Sequence, residues 1–374
     1  MTDFPAAEFA ARFKRAQTLM AAADFDALLL TTEAEVRYFT GFRSLFWQSP
    51  TRSWFVILPQ SGAPVAIIPA IGADLMGRTW INDIRSWPSP RGFDEGISLL
   101  VEALSPYRRI GLPMGEESSL RMPLTDFQTL QSSLKAKFAD CTPLIKSLRT
   151  VKSEAEIEIL KEICQIGSRA FSRVPDFATA GTPLSEVFRR FRIALLEEGA
   201  EETPYVVGGA GQGGYTDVIS PPDASPLAQG DVLMLDTGAS LKGYFCDFDR
   251  NFAIGTASDA ARAAHARLWD ATEAGLEAAR AGTTTAQLFV AMQSVLKGGS
   301  DVGRYGHGLG MQLTEWPSIA AHDHTELQAG MVLTLEPSLM LDETRMMVVE
   351  ENILITKDAP VLLTQRAPRE LPVI

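Results

Sequence analysis

The sequence predicts an α+β protein in two parts, a small N-terminal α/β domain over residues 1–148 and a larger, strand-rich C-terminal domain over residues 149–374. Three observations lead there. A chain of 374 residues exceeds what one ordinary core holds. Its first ~145 residues alternate helix-like and strand-like stretches, the pattern of an α/β layer structure. From Thr203 onward, short apolar runs, glycines and turns take over.

In the first part, Phe9 to Ala23 has a helical period, with Phe9, Phe13, Ala16, Leu19 and Met20 on one face. The run from Ala27 to Thr31 reads as a short buried strand. Trp54 to Leu58 and Pro64 to Ile68 read as two strands around the turn Pro59 to Gly62. A second round gives a helix from Phe93 to Leu104, a strand from Arg109 to Leu112 and a helix from Pro123 to Leu134. No G-x-G-x-x-G or Walker-type loop is present, so no nucleotide site is expected. A charged helix follows, with Ser153 as its N-cap and acids in its first turn, and the domain boundary is placed just before it. Thr182 before Pro183 opens another helix, running to about Gly199. Beyond Thr203 one further helix is expected, from Ser258 to Arg280. No internal repeat or low-complexity segment is visible.

An apolar content of 46% is that of a globular chain. The net charge of −12, from 34 basic and 46 acidic residues, argues against nucleic-acid and anionic-membrane partners, which need a basic footprint. Three scattered cysteines, Cys141, Cys164 and Cys246, make neither a disulfide framework nor a zinc ribbon. They point to a reducing cytoplasm. No apolar run approaches the ~18 residues of a membrane span. The first residues carry acid early and lack a basic n-region, so no signal peptide is expected.

Chemistry enters with Asp236 and Asp247, eleven residues apart, in apolar β-type runs joined by a glycine-bearing turn. Two carboxylates facing one another across a hairpin repel unless they share a cation, and hard oxygen ligands suit Mn, Mg, Co, Zn or Fe. The blander reading is a solvated acidic edge. Three more candidates follow. His307 lies in Gly306-His307-Gly308-Leu309-Gly310, where glycines permit close approach or simply a turn. Glu336 ends the apolar run from Met331 to Leu335. Glu350 and Glu351 interrupt an apolar run, and strand alternation sends them to opposite faces. Two aspartates, two glutamates and a histidine suffice to hold two divalent ions.

This set, in this order, resembles the metallopeptidase superfamily of the Xaa-Pro aminopeptidase, prolidase and creatinase type. The matching segments are Leu235-Asp236-Thr237-Gly238, Gly243-Tyr244-Phe245-Cys246-Asp247-Phe248-Asp249-Arg250, the segment around His307, Gly330 to Pro337 and Val349 to Thr356. Asp26 to Thr31 with Val36 to Phe42 resembles the creatinase-type N-terminal domain. The resemblance implies a C-terminal pita-bread domain with a smaller creatinase-like one that caps the site, and a homodimer. It also implies two divalent metal ions, Mn first with Co, Zn or Fe as other choices, on Asp236, Asp247, His307, Glu336 and Glu350. Glu336 would shuttle a proton, and His307 would also face the oxyanion.

The departures bear on substrate. Ile219 stands where family peptidases usually carry a histidine, and Thr314, before Glu315, replaces a second one. Val348 stands where a basic residue is often found. Asp249 occupies a position where Thr or Ser is common and shares a strand face with Asp247, as a further acid at the site or a residue paired with Arg250. Trp316 lines the substrate pocket or packs in the core. His322 and His324 read as a solvated loop, His265 as structural and Cys246 as a small buried thiol. The expected activity is hydrolysis of a C–N bond in a dipeptide or other small substrate. Alternatives are a creatinase-like or ectoine-hydrolase-like enzyme on a small modified amino acid, and a binding protein on a retired peptidase fold.

Overall fold

The computed structural model describes residues 3–49, 51–297 and 303–374. The chain divides into two compact units, Met1–Arg149 and Thr150–Ile374. Among the described residues no helix is long and apolar enough to cross a membrane.

The first unit runs α1 (Ala6–Ala22), β1 (Ala27–Leu30), α2 (Glu33–Thr40), β2 (Phe55–Pro59), β3 (Val65–Pro69), α3 (Ala73–Met76), β4 (Asp83–Trp87), α4 (Ile97–Leu104), β5 (Arg109–Leu112), α5 (Leu124–Ser133), β6 (Lys137–Asp140) and α6 (Thr142–Arg149). Its six strands form one sheet in the order β4-β3-β2-β1-β5-β6. β1, β5 and β6 run parallel, as do β3 and β4, while β2 is antiparallel to both its neighbours. Leu29, Phe55, Ile57, Ile67 and Ile110 pack with Leu100, Leu104 and Leu130 of the covering helices. The helix expected from Phe93 begins only at Ile97, because the preceding Gly96 takes a left-handed conformation (φ 84°). Helices α2 and α6, each of eight residues, were too short for periodicity to reveal.

The second unit begins with α7 (Glu154–Ser172) and α8 (Leu184–Glu197), followed by β7 (Glu202–Gln212), β8 (Asp231–Leu241), β9 (Tyr244–Phe245) and β10 (Phe248–Ala253). Then come α9 (Asp259–Ala278), α10 (Thr285–Leu296), β11 (Gly306–Gly308), β12 (Glu315–Ser318), β13 (Val332–Leu335), β14 (Ser338–Met340), β15 (Met346–Val348), β16 (Glu351–Leu354) and β17 (Val361–Leu362). Ser153 caps α7 in a full capping box with Glu156. One sheet has the order β10-β8-β7 with β9 on β8, a second the order β12-β11-β13-β16-β17, and β14 pairs β15. Every pairing in these sheets is antiparallel.

Two helices, not one, lie between the sheets in sequence. The run Thr285 to Leu296 is apolar around most of its circumference, which hides its period. Its sign was local: Thr284 and Gln287 form a capping box. The two helices bury Leu268, Ala271, Leu276, Leu288, Met292 and Leu296 against Val232, Met234, Leu333, Leu335 and Ile353. The opposite face of β10 meets α7 closely: a Cβ on Gly167 would fall 2.8 Å from the Phe248 ring. Helix contact on both sides buries β8 and β10 of this four-stranded sheet, while β7 stays partly exposed.

Candidate metal centre

The β8–β10 hairpin turns at Lys242 and Gly243, both at positive φ (50° and 75°), the signature of a tight two-residue loop. Its register differs from the simplest expectation. Asp236 is paired directly with Asp249, and Thr237 with Phe248. Asp247, one step before β10, falls opposite Gly238 when that register is continued through Ser240 and Phe245. Asp236 and Asp247 are therefore diagonal neighbours on one face, with Asp249 beside them.

Gly238 is what leaves room there. A Cβ at this position would meet Leu313 Cδ1 at 2.4 Å and Tyr205 Cβ at 3.0 Å. Tyr205 is Gly238's partner on β7, so its ring shares the acidic face. Burial, with the charges of Asp236, Asp247, Glu350 and Glu336, holds the Tyr205 phenol above its ordinary range.

The second sheet supplies the rest. His307 pairs with Thr334 and Thr334 with Asn352, which places these three side chains on one face. Leu335 pairs with Glu351, so one further step sets Glu336 opposite Glu350 on that same face. Asn352 then ties the two sheets together. Its Oδ1 accepts from Asp247 N at 3.0 Å, and its Nδ2 donates to Asp247 O. A side-chain amide thus stands in for a neighbouring strand and fixes Asp247 against β16.

The outcome is a compact donor group. One ligand atom each from Asp247, His307 and Glu350 lies within 4.8 Å of the other two. His307 Nε2 is 3.4 Å from Asp247 Oδ2 and 4.0 Å from Glu336 Oε1. Thr334 Oγ1 donates to Glu350 Oε1 at 2.5 Å. Asp236 lies outside the tight trio but within its field, and its buried Oδ1 has no hydrogen-bond partner. Burial raises the pKa of all four acids. Mutual repulsion adds to this at Asp236, Asp247 and Glu350. Burial pushes the His307 imidazole down to about 3, helped by the positive charge of Arg304. His307 Nδ1 meets the Gly308 carbonyl at 2.9 Å, which leaves Nε2 of the neutral ring aimed at the acids.

Four crowded carboxylates with one orphaned oxygen are unfavourable alone and match the needs of hard divalent cations. On donor chemistry the residues fit such a group. Sequence reasoning missed Tyr205 and Arg304, whose Nε is 3.6 Å from Glu336 Oε1. Neither sits in a local motif.

The other expected residues are distributed more widely. Ile219 is 73% exposed on the loop after β7. Glu315 is buried in an ion pair with Lys152 Nζ at 3.3 Å and accepts from Gln312 N at 3.0 Å. Thr314 precedes it, half-buried, and Trp316 is buried. Arg250 does not pair with the Asp249 side chain. It donates to Glu351 Oε2 at 2.9 Å instead. Glu351 therefore faces away from the centre, as alternation requires. His322 and His324 are exposed, while His265 is buried with Nε2 at 3.0 Å from the Pro368 carbonyl. Cys246 is buried and its thiol pushed far up by desolvation, as suits an inert packing residue.

Two sheets that deliver acids and one imidazole to a shared face form a donor group that could hold a divalent cation, on a pita-bread type of fold. The chain belongs to metallopeptidase family M24, whose model matches residues 158–357, and the creatinase/prolidase N-terminal domain matches residues 12–151. It is 26% identical to the probable dipeptidase PepE of Mycobacterium tuberculosis over 383 aligned positions, covering 99% of this chain and 98% of that one. It is 28% identical to the Xaa-Pro dipeptidase of Pyrococcus furiosus over 264 positions, 69% of this chain and 75% of the other. The crystal structure of dipeptidase PepE from Mycobacterium ulcerans superposes with a TM-score of 0.86 at 26% identity, covering 99% of both chains.

Proposed function

We propose that the protein hydrolyses the peptide bond of small Xaa-Pro-type substrates with two divalent metal ions, Mn foremost. Asp236, Asp247, His307, Glu336 and Glu350 would hold them. The observation that carries this reading is the convergence of four carboxylates and a neutral imidazole from two sheets on one face. When bound, the ions supply Lewis acidity and lower the pKa of water.

The chain's own groups do the rest. Glu336 is partly open to solvent, with 26% of its side chain exposed, whereas that of Asp247 is 6% exposed. Its Oε1 takes the proton of the attacking water and returns it to the departing nitrogen. Arg304, beside that oxygen, restrains how basic Glu336 becomes. His307 is kept neutral by burial and the Arg304 charge, and is oriented by Gly308 O. The cytoplasm as location, and a homodimer as working form, belong to the same reading, and three buried free cysteines agree with a reducing compartment.

One feature favours a second reading. Ile219 faces solvent and Thr314 carries no imidazole, so two groups that peptidases of this type use on substrate are missing. That suits a creatinase-like or ectoine-hydrolase-like enzyme on a modified amino acid. A non-catalytic binding protein is disfavoured by the complete donor set. Metal analysis of the purified protein, beside assays on Xaa-Pro dipeptides, N-acyl amino acids and ectoine-like compounds, separates the three. Mn-dependent release of proline is expected. A protein that retains no divalent metal from supplemented medium and cleaves nothing in the panel sinks the proposal.

A further inference from the structure

The acidic face carries one carboxylate more than the five-donor set uses. Asp249 is the direct cross-strand partner of Asp236 and stands two residues from Asp247, so all three share a face. It is also deeply enclosed, at 1% exposure. Asn251 Nδ2 holds it from one side, donating to Oδ2 at 2.8 Å and to the Val348 carbonyl at 2.7 Å. The other oxygen, Oδ1, is buried without a hydrogen-bond partner, and so is Oδ1 of Asp236 across the ladder.

The Arg250 charge and the Glu350 main-chain N–H favour the ionised Asp249 carboxylate, but among the described residues no base is hydrogen-bonded to it. Arg250 Nη1 reaches the main-chain oxygens of Asp249 and Glu350, at 2.6 and 2.9 Å, and its Nη2 goes to Glu351. Two facing carboxylates with buried, unpartnered oxygens are destabilising unless something positive lies between them. At 1% exposure Asp249 is closed to a substrate's ammonium group, which leaves a small cation.

The structure assigns Asp249 to the cation centre as an additional oxygen donor on the Asp236 side. This rests on the reading that the centre holds divalent cations. A donor set richer in carboxylate oxygen favours Mn2+ over softer ions.

Titrating the metal-free protein with Mn2+ alone tests it, with free Mn2+ followed by electron paramagnetic resonance and the Mn2+-induced rise in Tm by calorimetry. Asp249→Asn keeps the shape and removes the charge. It is expected to weaken Mn2+ binding at one site by about 10–100-fold, the scale of losing a metal's supporting group. The Mn2+-induced rise in Tm should shrink, while the metal-free variant melts no lower than wild type. Asp249→Thr, which keeps an acceptor for Asn251, carries the comparison should the amide variant fail to fold. Folded variants that bind Mn2+ within about twofold of wild type overturn the inference and leave the reading of the centre standing. A wild-type protein that takes up no Mn2+ overturns both.

Discussion

Glu350 and Glu351 are neighbours in sequence, equally buried, and in opposite electrostatic states. Glu351 is fully answered: Arg250 Nη2 at 2.9 Å, Ala367 N at 2.7 Å and the Thr364 hydroxyl all donate to it. Glu350 receives one hydrogen bond, from Thr334, and otherwise faces the acids Asp247, Asp236 and Glu336. Behind β16 lies a satisfied ionic lattice, and in front of it a centre whose charges repel. Lys152–Glu315, with both side chains 1% exposed, belongs to the satisfied class. Burial of acids is therefore common to both regions. What marks the functional one is that its acids repel one another beyond what Arg304 offsets, which is the condition for taking up a cation.

The sharpest way to break this contrast is to remove one charged partner from each side. Asp247→Ala should abolish metal uptake at the tight trio and lower kcat/KM by about a thousandfold or more, the several kcal/mol that metal catalysis supplies. Its fold should survive, because Asn352 grips Asp247 through main-chain atoms. Metal content and hydrolysis rates check both statements. On the lattice side, Arg250→Met strands Glu351 and releases the Glu350 and Gln365 carbonyls. Breaking a buried pair in this way costs about 3–5 kcal/mol, to be read by urea denaturation of metal-free protein. An unchanged unfolding midpoint would show that the lattice is ornamental.

How much of this contrast the sequence disclosed depends on the range of the signal. The hairpin was legible because apolar alternation and the Lys242–Gly243 turn are local. Its cross-strand pairing follows from that same turn: a two-residue loop at Lys242 and Gly243 sets Asp249, not Asp247, opposite Asp236, which counting carboxylates alone does not show. Glu350 and Glu351 were separable by alternation alone, since period two needs no partner strand. Tyr205 reaches the centre by pairing with the distant Gly238, and Arg304, three residues before His307, by its contact with Glu336, so no spacing rule points to either. Helix α10 was lost for the opposite reason, an apolar surface too continuous to show a period.

Acidity offers a third test, of smaller amplitude. In metal-free protein Asp236 and Glu336 titrate near 7, up from 3.8 and 4.5, so between those limits the folded state binds protons that the unfolded chain has released. Their contribution to stability therefore falls as pH rises through that window, as do those of Asp247 and Glu350, which are shifted the same way. His307 works oppositely: its pKa drops from 6.5 to about 3, so its contribution is lost as pH falls through that range. Four acids against one imidazole predict a net loss of stability on raising pH from about 4.5 to 7. Mn2+ at a hundred times its Kd should restore about 2.7 kcal/mol. A metal-free protein that gains stability across this window contradicts the picture.

The smallest effect concerns the substrate, and it distinguishes the two positions where peptidase histidines are missing. Thr314 is half-buried immediately before Glu315, whose ion pair with Lys152 anchors the start of β12. An imidazole placed there starts from a held backbone. Ile219 lies on the exposed loop after β7, where Asp217 binds the Ile219 and Ser220 amides at 2.9 and 3.0 Å and leaves the side chain in solvent. Thr314→His should therefore raise kcat/KM on Xaa-Pro dipeptides by about tenfold, less than a fully optimised oriented donor provides. Ile219→His should leave it unchanged, because an unheld side chain gains no orientation. Parallel rates for N-acyl amino acids turn this into a test of substrate class. A Thr314→His enzyme that gains nothing on dipeptides while the wild type turns over a modified amino acid would place the native substrate outside the peptides.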